Sequence, residues 1–186
     1  MSSLSYYSLR MMGGFFLKIK INSRLLALLA VLTAIGVVLG RFVPLVNILT
    51  SKYEFSFVAV MLAGYLTGPV GGAVVGGLVD LIGALLVPTG AYFPGFTATA
   101  ALAGMIFGFA LRNKCTLPNI IGAVLANQIF CTLIFNTFFI SELFSPKGFT
   151  ALLAARAVQA AVMAVIQIVF GYIFLVKIDL KKLLKI

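Results

Sequence analysis

Apolar runs of helical length, separated by short polar or basic turns, make up most of the chain. A helix needs ~20 predominantly apolar residues to cross a bilayer. Five stretches approach that length, and a shorter one ends at the turn Thr67-Gly68-Pro69. The pattern predicts six membrane-spanning helices, at residues 24–42, 55–66, 70–87, 95–111, 119–140 and 149–176.

The composition supports the same conclusion. Hydrophobic residues make up 62% of the chain and charged residues only 10%, whereas a soluble domain carries about 25% charged residues. This excludes an ordinary soluble domain. The chain is therefore predicted to be an all-α integral membrane protein embedded in a lipid bilayer.

The basic residues lie mostly on one side of the predicted spans. With the N-terminus inside, ten Lys and Arg residues fall on the inner side and three on the outer side. Because inner loops are enriched in Lys and Arg, both termini are predicted to be cytoplasmic. The domains are then a basic leader (1–23), a six-helix transmembrane domain (24–176) and a basic tail (177–186). The charge of +10 is spread over loops and termini, which argues against nucleic-acid binding.

Polar side chains gather on two helix faces in the predicted outer half of the bilayer. Polar groups inside a membrane usually face a cavity or another helix. Arg156 is predicted to bind a ligand, because a guanidinium pairs with a carboxylate through two hydrogen bonds. For Gln128 and Thr132, packing and ligand contact stay equally open. The stripes at helical spacing are Arg156, Gln159, Met163 and Gln167 in the sixth span and Gln128, Thr132 and Asn136 in the fifth.

Two charged residues of the first and third spans have open roles. Asp80 lies ~16 Å into the third span at 1.5 Å per residue. It either accepts hydrogen bonds from an amino-heterocycle or pairs with a buried base such as Arg156. Arg41 ends the first span and, on a straight helix, projects on the same side as the small alanines of that span. It therefore either binds a ligand or extends to the outer surface.

An aromatic loop follows the third span. Residues 88–95 contain two prolines and two glycines together with Tyr92 and Phe93, and Phe96 follows directly. A flat aromatic ligand would stack on these rings, whereas the alternative is an aromatic belt at the membrane interface. Their position next to the polar stripes favours a ligand site under a lid.

Small residues recur at four-residue spacing in two spans. Such pairs allow helix backbones to approach closely, either within the chain or with a partner. They are Ala30 and Ala34 in the first span, and Gly72 with Gly76 and Ala73 with Gly77 in the third.

Three segments carry a resemblance to a known family. They are LAGYLTGPVGG at residues 62–72, DLIGA at 80–84 and PTGAYFPGFT at 88–97, and the pair Gly40-Arg41 agrees with them. The chain resembles the folate-type S components of energy-coupling factor (ECF) vitamin transporters from residue 25 to residue 176. One departure is the run Lys52-Tyr53-Glu54-Phe55-Ser56-Phe57, where the family has a sequence like Ile-Ser-Phe-Gly-Phe.

The resemblance implies a substrate-binding subunit of an importer in a prokaryotic plasma (inner) membrane. Such a subunit binds folate from the outside, under the loops that follow spans one and three, and associates with a T component and two ATPases that use the ATP. The chain has no GxxxxGK[ST] loop of its own, and no cofactor is predicted in it. The residues themselves, through the polar stripes and the aromatic loop, give the predicted substrate-binding set: Arg41, Lys52, Asp80, Tyr92, Phe93, Phe96, Thr97, Asn136, Arg156 and Gln159. The implied T-component contacts are Ala27, Ala30, Ala34, Gly72, Ala73, Gly76 and Gly77.

Two alternatives stay open beside folate transport. One is an S component for another vitamin or precursor, such as a queuosine precursor, pantothenate or a pyrimidine. The other is a small membrane-embedded enzyme, which would have few catalytic groups, because the chain has no histidine and only four acids. Cys115 and Cys131 lack the spacing of a zinc site, and no metal site is predicted.

Overall fold

Five helices long and apolar enough to cross a bilayer dominate the computed structural model. The structure describes residues 23–42, 45–48, 51–88, 92–113, 115–143 and 149–177. The predicted leader, up to residue 22, and the tail from residue 178 lie outside the described residues. In chain order the elements are α1 (Ser23–Arg41), β1 (Leu45–Ile48), β2 (Ser51–Tyr53), α2 (Ser56–Leu86), α3 (Pro94–Leu111), α4 (Leu117–Ala126), a π-helix π1 (Asn127–Asn136), α5 (Thr137–Leu143), α6 (Phe149–Gly171) and a second π-helix π2 (Tyr172–Lys177).

Proline sets the starts of two helices. Pro94 and Pro118 lie in the first turns of α3 and α4, where a missing N–H costs no helical hydrogen bond. The residue before each helix, Phe93 or Thr116, has an extended backbone. The starts of α3 and α4 lie within two residues of the starts predicted from the apolar runs.

Helix α2 turns back on itself at Gly68. This residue has φ 84° and ψ −168°, a backbone conformation that glycine adopts without a Cβ clash, and Pro69 follows it. A methyl group at Gly72 would lie 3.0 Å from the Cα of Gly64, and one at Gly76 would lie 3.4 Å from the Val60 side chain. The first arm (56–67) and the second arm (69–86) therefore run side by side in opposite directions, which confirms the turn predicted at 67–69.

The break does not by itself establish six spans. The first arm is shorter than the ~20 residues that cross a bilayer, and the described chain has five helices of spanning length. The count of six spans and the cytoplasmic location of the termini stay predictions.

The predicted all-α class is confirmed for the membrane-length helices, and one short hairpin is added to it. In the segment expected to be a loop after the first span, β1 and β2 pair in antiparallel fashion, with Leu45 opposite Tyr53 and Ile48 opposite Ser51. The register is irregular between these two pairs. Elsewhere the described elements are helical.

A glycine seam joins the second arm of α2 to α3. A methyl group at Gly72 would run into the carbonyl oxygen of Gly104, and one at Gly104 into the carbonyl oxygen of Gly72. Gly76 meets the carbonyl of Ala100 in the same way. Gly72 and Gly76 therefore lie at contacts inside the molecule, rather than on the surface where a partner would bind.

The remaining apolar side chains divide between core and surface. Phe107, Leu111 and Ile120 are almost fully buried. Leu85 and Val158 point outward, with 70% and 68% of their surface exposed. In a bilayer, such outward apolar side chains contact lipid tails.

Candidate functional site

A cavity of about 620 Å³ opens between α1, α2, α3, π1 and α6. Binding sites for small molecules usually measure about 300–1,000 Å³ and combine apolar walls with a few converging polar groups. Eight of the ten residues predicted for the substrate site line this cavity: Arg41, Asp80, Tyr92, Phe93, Phe96, Asn136, Arg156 and Gln159.

The structure does not place the other two predicted residues, Thr97 and Lys52, among the described lining residues. Thr97 is not part of the lining, although it contacts two residues that are. For Lys52, the backbone belongs to β2, and its side chain lies outside the described part of the structure.

Arg41, Tyr92, Phe93 and Phe96 line the cavity. Their end of the cavity is called the mouth, because Tyr92 keeps 45% of its surface exposed there. A methyl group at Gly83 would lie 3.4 Å from the Arg41 Cζ, so the guanidinium packs across the second arm of α2. This places Arg41 against α2, whereas the small alanines of α1 are exposed on its outer face.

A hydrogen-bonded relay connects the mouth to α2. Thr97 Oγ1 donates to Asp80 Oδ2 at 2.7 Å, and the Tyr92 hydroxyl lies 3.1 Å from Thr97 Oγ1. Because a threonine hydroxyl has one proton, Tyr92 is the donor in the second bond. Asp80 thus accepts a hydrogen bond from Thr97, whereas the sequence left open a pairing with Arg156, whose Nε has no acceptor among the described residues.

Three phenylalanines form a cluster beside the mouth. The ring of Phe93 lies 5.9 Å from that of Phe96 and 5.1 Å from that of Phe139, and Phe96 and Phe139 are 6.1 Å apart. All three contacts are edge-to-face, the arrangement that aromatic quadrupoles favour. The sequence predicted two of these rings but not Phe139, because it lies 43 positions after Phe96 in another helix.

The π-helix π1 places on one cavity two polar residues that would lie on different faces of an α-helix. Asn127 and Asn136 are nine residues apart, which is 2.5 turns of an α-helix at 3.6 residues per turn. They would then lie on opposite faces. In a π-helix the i→i+5 hydrogen bonds widen the turn to about 4.4 residues, and the two asparagines share a face. Both line the cavity.

The polar stripe predicted for the sixth span faces the same cavity. Arg156, Gln159, Met163 and Gln167 all line it from α6. The Nε of Arg156 is buried and has no acceptor among the described residues. A buried guanidinium with an unused donor is suited to an anionic ligand.

The chain matches the family described as ECF transporter, substrate-specific component, over residues 24–176. It belongs to this family. An S component is a substrate-binding transport subunit and not an enzyme. With its membrane-length apolar helices, this S component is a multi-pass protein of a prokaryotic plasma membrane.

Two relatives are described as Folate transporter FolT. The protein from Clostridium novyi (strain NT) is 28% identical over 145 residues, which are 77% of this chain and 83% of the relative. The protein from Leuconostoc mesenteroides subsp. mesenteroides is 27% identical over 162 residues, with 84% of this chain and 86% of the relative covered. A solved structure described as FolT bound with folic acid has a TM-score of 0.75 and 28% identity, and covers 82% of this chain and 93% of that chain.

Several cavity residues of this S component were not among the predicted site residues. Asn127 was missed because α-helical spacing places it away from Asn136. Thr99 was missed as an ordinary helix residue, yet its hydroxyl donates to Asn136 Oδ1 at 2.7 Å. Glu54 and Ser56 also line the cavity. Glu54 could have been suspected from the sequence, because it is one of only four acidic residues in the chain.

The small residues predicted to contact a T component separate into two groups. Ala27, Ala30 and Ala34 are exposed on α1. Ala73 and Gly77 are partly exposed on the second arm of α2, beside the internal Gly72 and Gly76 described above. Within the described residues, no group of three His, Cys, Asp or Glu side chains is placed to hold a metal ion.

Proposed function

We propose that this S component binds folate in the 620 Å³ cavity and delivers it through a T component powered by two ATPases. The choice of folate as the substrate is supported chiefly by the side chains that line the cavity. The fold around them is similar to that of the solved structure described as FolT bound with folic acid. Folate contains two flat ring systems, an amino-substituted heterocyclic edge and two carboxylates.

The cavity offers a complement for each of these groups. Tyr92, Phe93 and Phe96 provide aromatic surfaces for stacking, and Asp80 and the amides provide acceptors for N–H groups. Arg41 at the mouth and Arg156 within the membrane provide cations for the carboxylates. Lys52, whose backbone belongs to the hairpin after α1, is proposed as a further cation for the carboxylates.

The delivery part of the proposal concerns the outer face of the molecule. The exposed alanines of α1 are small side chains against which another membrane helix can pack closely. Ala73 and Gly77, which are partly exposed on the second arm of α2, are proposed as further contacts. In this proposal the partner ATPases hydrolyse the ATP.

Isothermal calorimetry of the purified protein with folate tests the binding part, and it suits a chain that has no tryptophan. The wild-type protein is expected to bind about one folate per chain. Arg156→Ala is expected to weaken binding about 10- to 100-fold, because a hydrogen bond to a charged group contributes about 1.5–3 kcal/mol. Arg156→Lys keeps the positive charge but not the two parallel hydrogen bonds of a guanidinium. Its affinity for folate is expected to lie between those of the wild type and of Arg156→Ala.

The matched control is Val158→Ala on the outward face of the same helix, which is expected to leave the dissociation constant unchanged. A wild-type protein that ignores folate but binds another flat heterocycle would overturn the choice of substrate. If Arg156→Ala bound folate as tightly as wild type, the role given to Arg156 would be wrong.

A further inference from the structure

Glu54 is an acid that lies where three elements of the molecule meet. It lies between the end of β2 and the start of α2, and it belongs to the lining of the cavity. Its Oε2 lies 3.7 Å from the position that a methyl group at Gly40 would occupy. Because Gly40 directly precedes Arg41 in the last turn of α1, Glu54 lies beside the helix end that carries this cation.

The hairpin before Glu54 also contacts the helix that carries the second cation of the cavity. β2 packs against α6, and Arg156 lines the cavity from this helix. The Nε of Arg156 is buried and has no acceptor among the described residues. The segment that holds Glu54 therefore connects the two helices that bring guanidinium groups to the cavity.

The two acids of the described lining, Glu54 and Asp80, have different surroundings. Asp80 Oδ2 accepts a hydrogen bond from Thr97 at 2.7 Å, and such a bond stabilises the ionised form of a carboxyl group. The ionised form of Glu54 is stabilised by the positive start of α2 and by the nearby Arg41. A ligand carboxylate that binds Arg41 competes with Glu54 for this positive charge but leaves the hydrogen bond of Asp80 intact.

The charges along the described lining balance before an anionic ligand binds. The titratable side chains there are two cations, two acids, a phenol and a thiol: Arg41, Arg156, Glu54, Asp80, Tyr92 and Cys131. The phenol and the thiol are ordinarily neutral at neutral pH, so the charges of the other four groups cancel. A ligand with two carboxylates adds two negative charges, and unbalanced charge is costly in a site shielded from water.

We infer that Glu54 takes up a proton when a ligand with two carboxylates binds in the cavity. The proton comes from water and forms an O–H bond on the Glu54 carboxylate, which becomes a neutral acid. With Lys52 as the third cation proposed above, this one proton makes the charges of the occupied cavity cancel. Folate enters as the ligand through the proposed function, on which this inference rests.

Proton uptake makes the affinity for folate depend on pH in one direction. The complex holds one more proton than the free protein and free folate together, so a lower pH favours the complex. Between about pH 6 and pH 8 both carboxylates of folate are ionised. In this range the dissociation constant is expected to rise by up to about tenfold for each pH unit.

Calorimetry of folate binding in two buffers counts the protons directly. Phosphate and Tris release a proton with different heats, so the difference in binding heat at one pH gives the number of protons taken up. Wild type is expected to take up about one proton per folate at about pH 6.5. Glu54→Gln keeps the shape of the side chain but cannot be protonated. It is expected to take up no proton and, at about pH 8, to bind folate about threefold to tenfold more tightly than wild type.

Glu142→Gln is the matched control, because Glu142 is an exposed acid outside the described cavity lining. This variant is expected to match wild type in proton number and in affinity. Glu54→Asp keeps the carboxyl group and is expected to keep the proton uptake. If Glu54→Gln weakened folate binding equally at every pH and left the proton number unchanged, residue 54 would have a structural role only and the inference would be overturned.

The outcomes separate this inference from the proposed function. If wild type binds folate without taking up a proton, the role of Glu54 is refuted and folate binding stands. The same conclusion follows if Glu54→Gln takes up as many protons as wild type. If wild type does not bind folate, the proposed function is refuted and this inference with it.

Discussion

Gly72 and Gly104 show how single residues set the distance between two helices in this membrane protein. In water, each interior glycine would cost a helix about 1 kcal/mol relative to alanine. Here the missing side chains let the backbones of α2 and α3 meet, since a methyl group on either residue would run into the other's carbonyl oxygen. The close contact also shapes one wall of the cavity, because the neighbouring Gly76 and Ala100 belong to its lining.

Substitution of Gly104 by alanine tests this role. We expect Gly104→Ala to lower the free energy of unfolding by about 1–3 kcal/mol, the usual effect of an extra carbon in a tightly packed contact. The measurement is a thermal melt of the purified protein in detergent. Gly122→Ala is the matched control, because a methyl group there would have no atom within 4 Å. Gly122→Ala is expected to leave the melting temperature unchanged or raise it. If both variants lowered the melting temperature equally, the close contact of Gly104 with Gly72 would not explain the effect.

The relay Tyr92–Thr97–Asp80 operates at the scale of elements. It joins the segment before α3 to the second arm of α2 through two hydrogen bonds. Because Thr97 bonds to both Tyr92 and Asp80 and is not part of the cavity lining, we expect it to act by positioning these two residues. The relay therefore holds one side of the mouth against the helix that carries Asp80.

Thr97→Val keeps the shape of the side chain and removes both hydrogen bonds. We expect folate to dissociate about threefold to tenfold faster, since each bond contributes about 0.5–1.5 kcal/mol. The measurement is the release of labelled folate in a chase experiment. Tyr92→Phe removes only the outer bond and should have a smaller effect. Thr116→Val, at an exposed threonine outside the cavity, should match wild type, and an unchanged rate in Thr97→Val would refute the positioning role.

The π-helix π1 is the second feature at this scale. Its wider turn brings Asn127, Cys131 and Asn136 to one cavity. π-helices are rare and often occur at functional sites. In this chain the π register decides which amides a ligand can reach, and the deep amide Asn127 is the clearest case.

At the scale of the whole molecule, the cavity and the proposed partner surface lie on different sides of α1. Gly36, Val37 and Gly40 line the cavity, whereas Ala27, Ala30 and Ala34 are exposed and are not part of its lining. One helix can therefore take part in ligand binding and in partner contact at the same time.

This separation predicts that partner binding can be removed without loss of folate binding. We expect Ala34→Leu to reduce recovery of the co-expressed T component and ATPases about tenfold, because a larger side chain keeps the helix backbones apart. The measurement is co-purification on a tagged S component, with folate calorimetry in parallel. Ala161→Leu, on the exposed face of α6, is the control and should recover the full complex. If Ala34→Leu recovered it equally well, the α1 surface would not be the contact.

The sequence predicted the helices well, because the apolar runs and the prolines act locally. The start of α3 at Pro94 and the break at Gly68 both follow from the chemistry of one or two residues. The stripe from Arg156 to Gln167 was also predicted, since α6 keeps α-helical spacing over that range.

Predictions that depended on helix register or on facing helices were less complete. The direction of Arg41 depends on where α1 meets the second arm of α2, at Gly83. The internal position of Gly72 and Gly76 depends on α3 packing against them, and small-residue spacing is the same at an internal and at an external contact. Asn127 required the π register, and the hairpin of β1 and β2 required pairing of two short segments with no strong apolar alternation.

The amino-acid pattern thus established a helical membrane protein, the positions of its long helices and the residue types available for a ligand. These properties follow from hydrophobicity and backbone chemistry, which act over a few residues. The tertiary structure decided which of those residues share a cavity and which small residues remain at the surface. The physical reason is that side-chain direction depends on helix register and on contacts between helices far apart in the chain, such as those that bring Asn127 and Gln167 to one cavity.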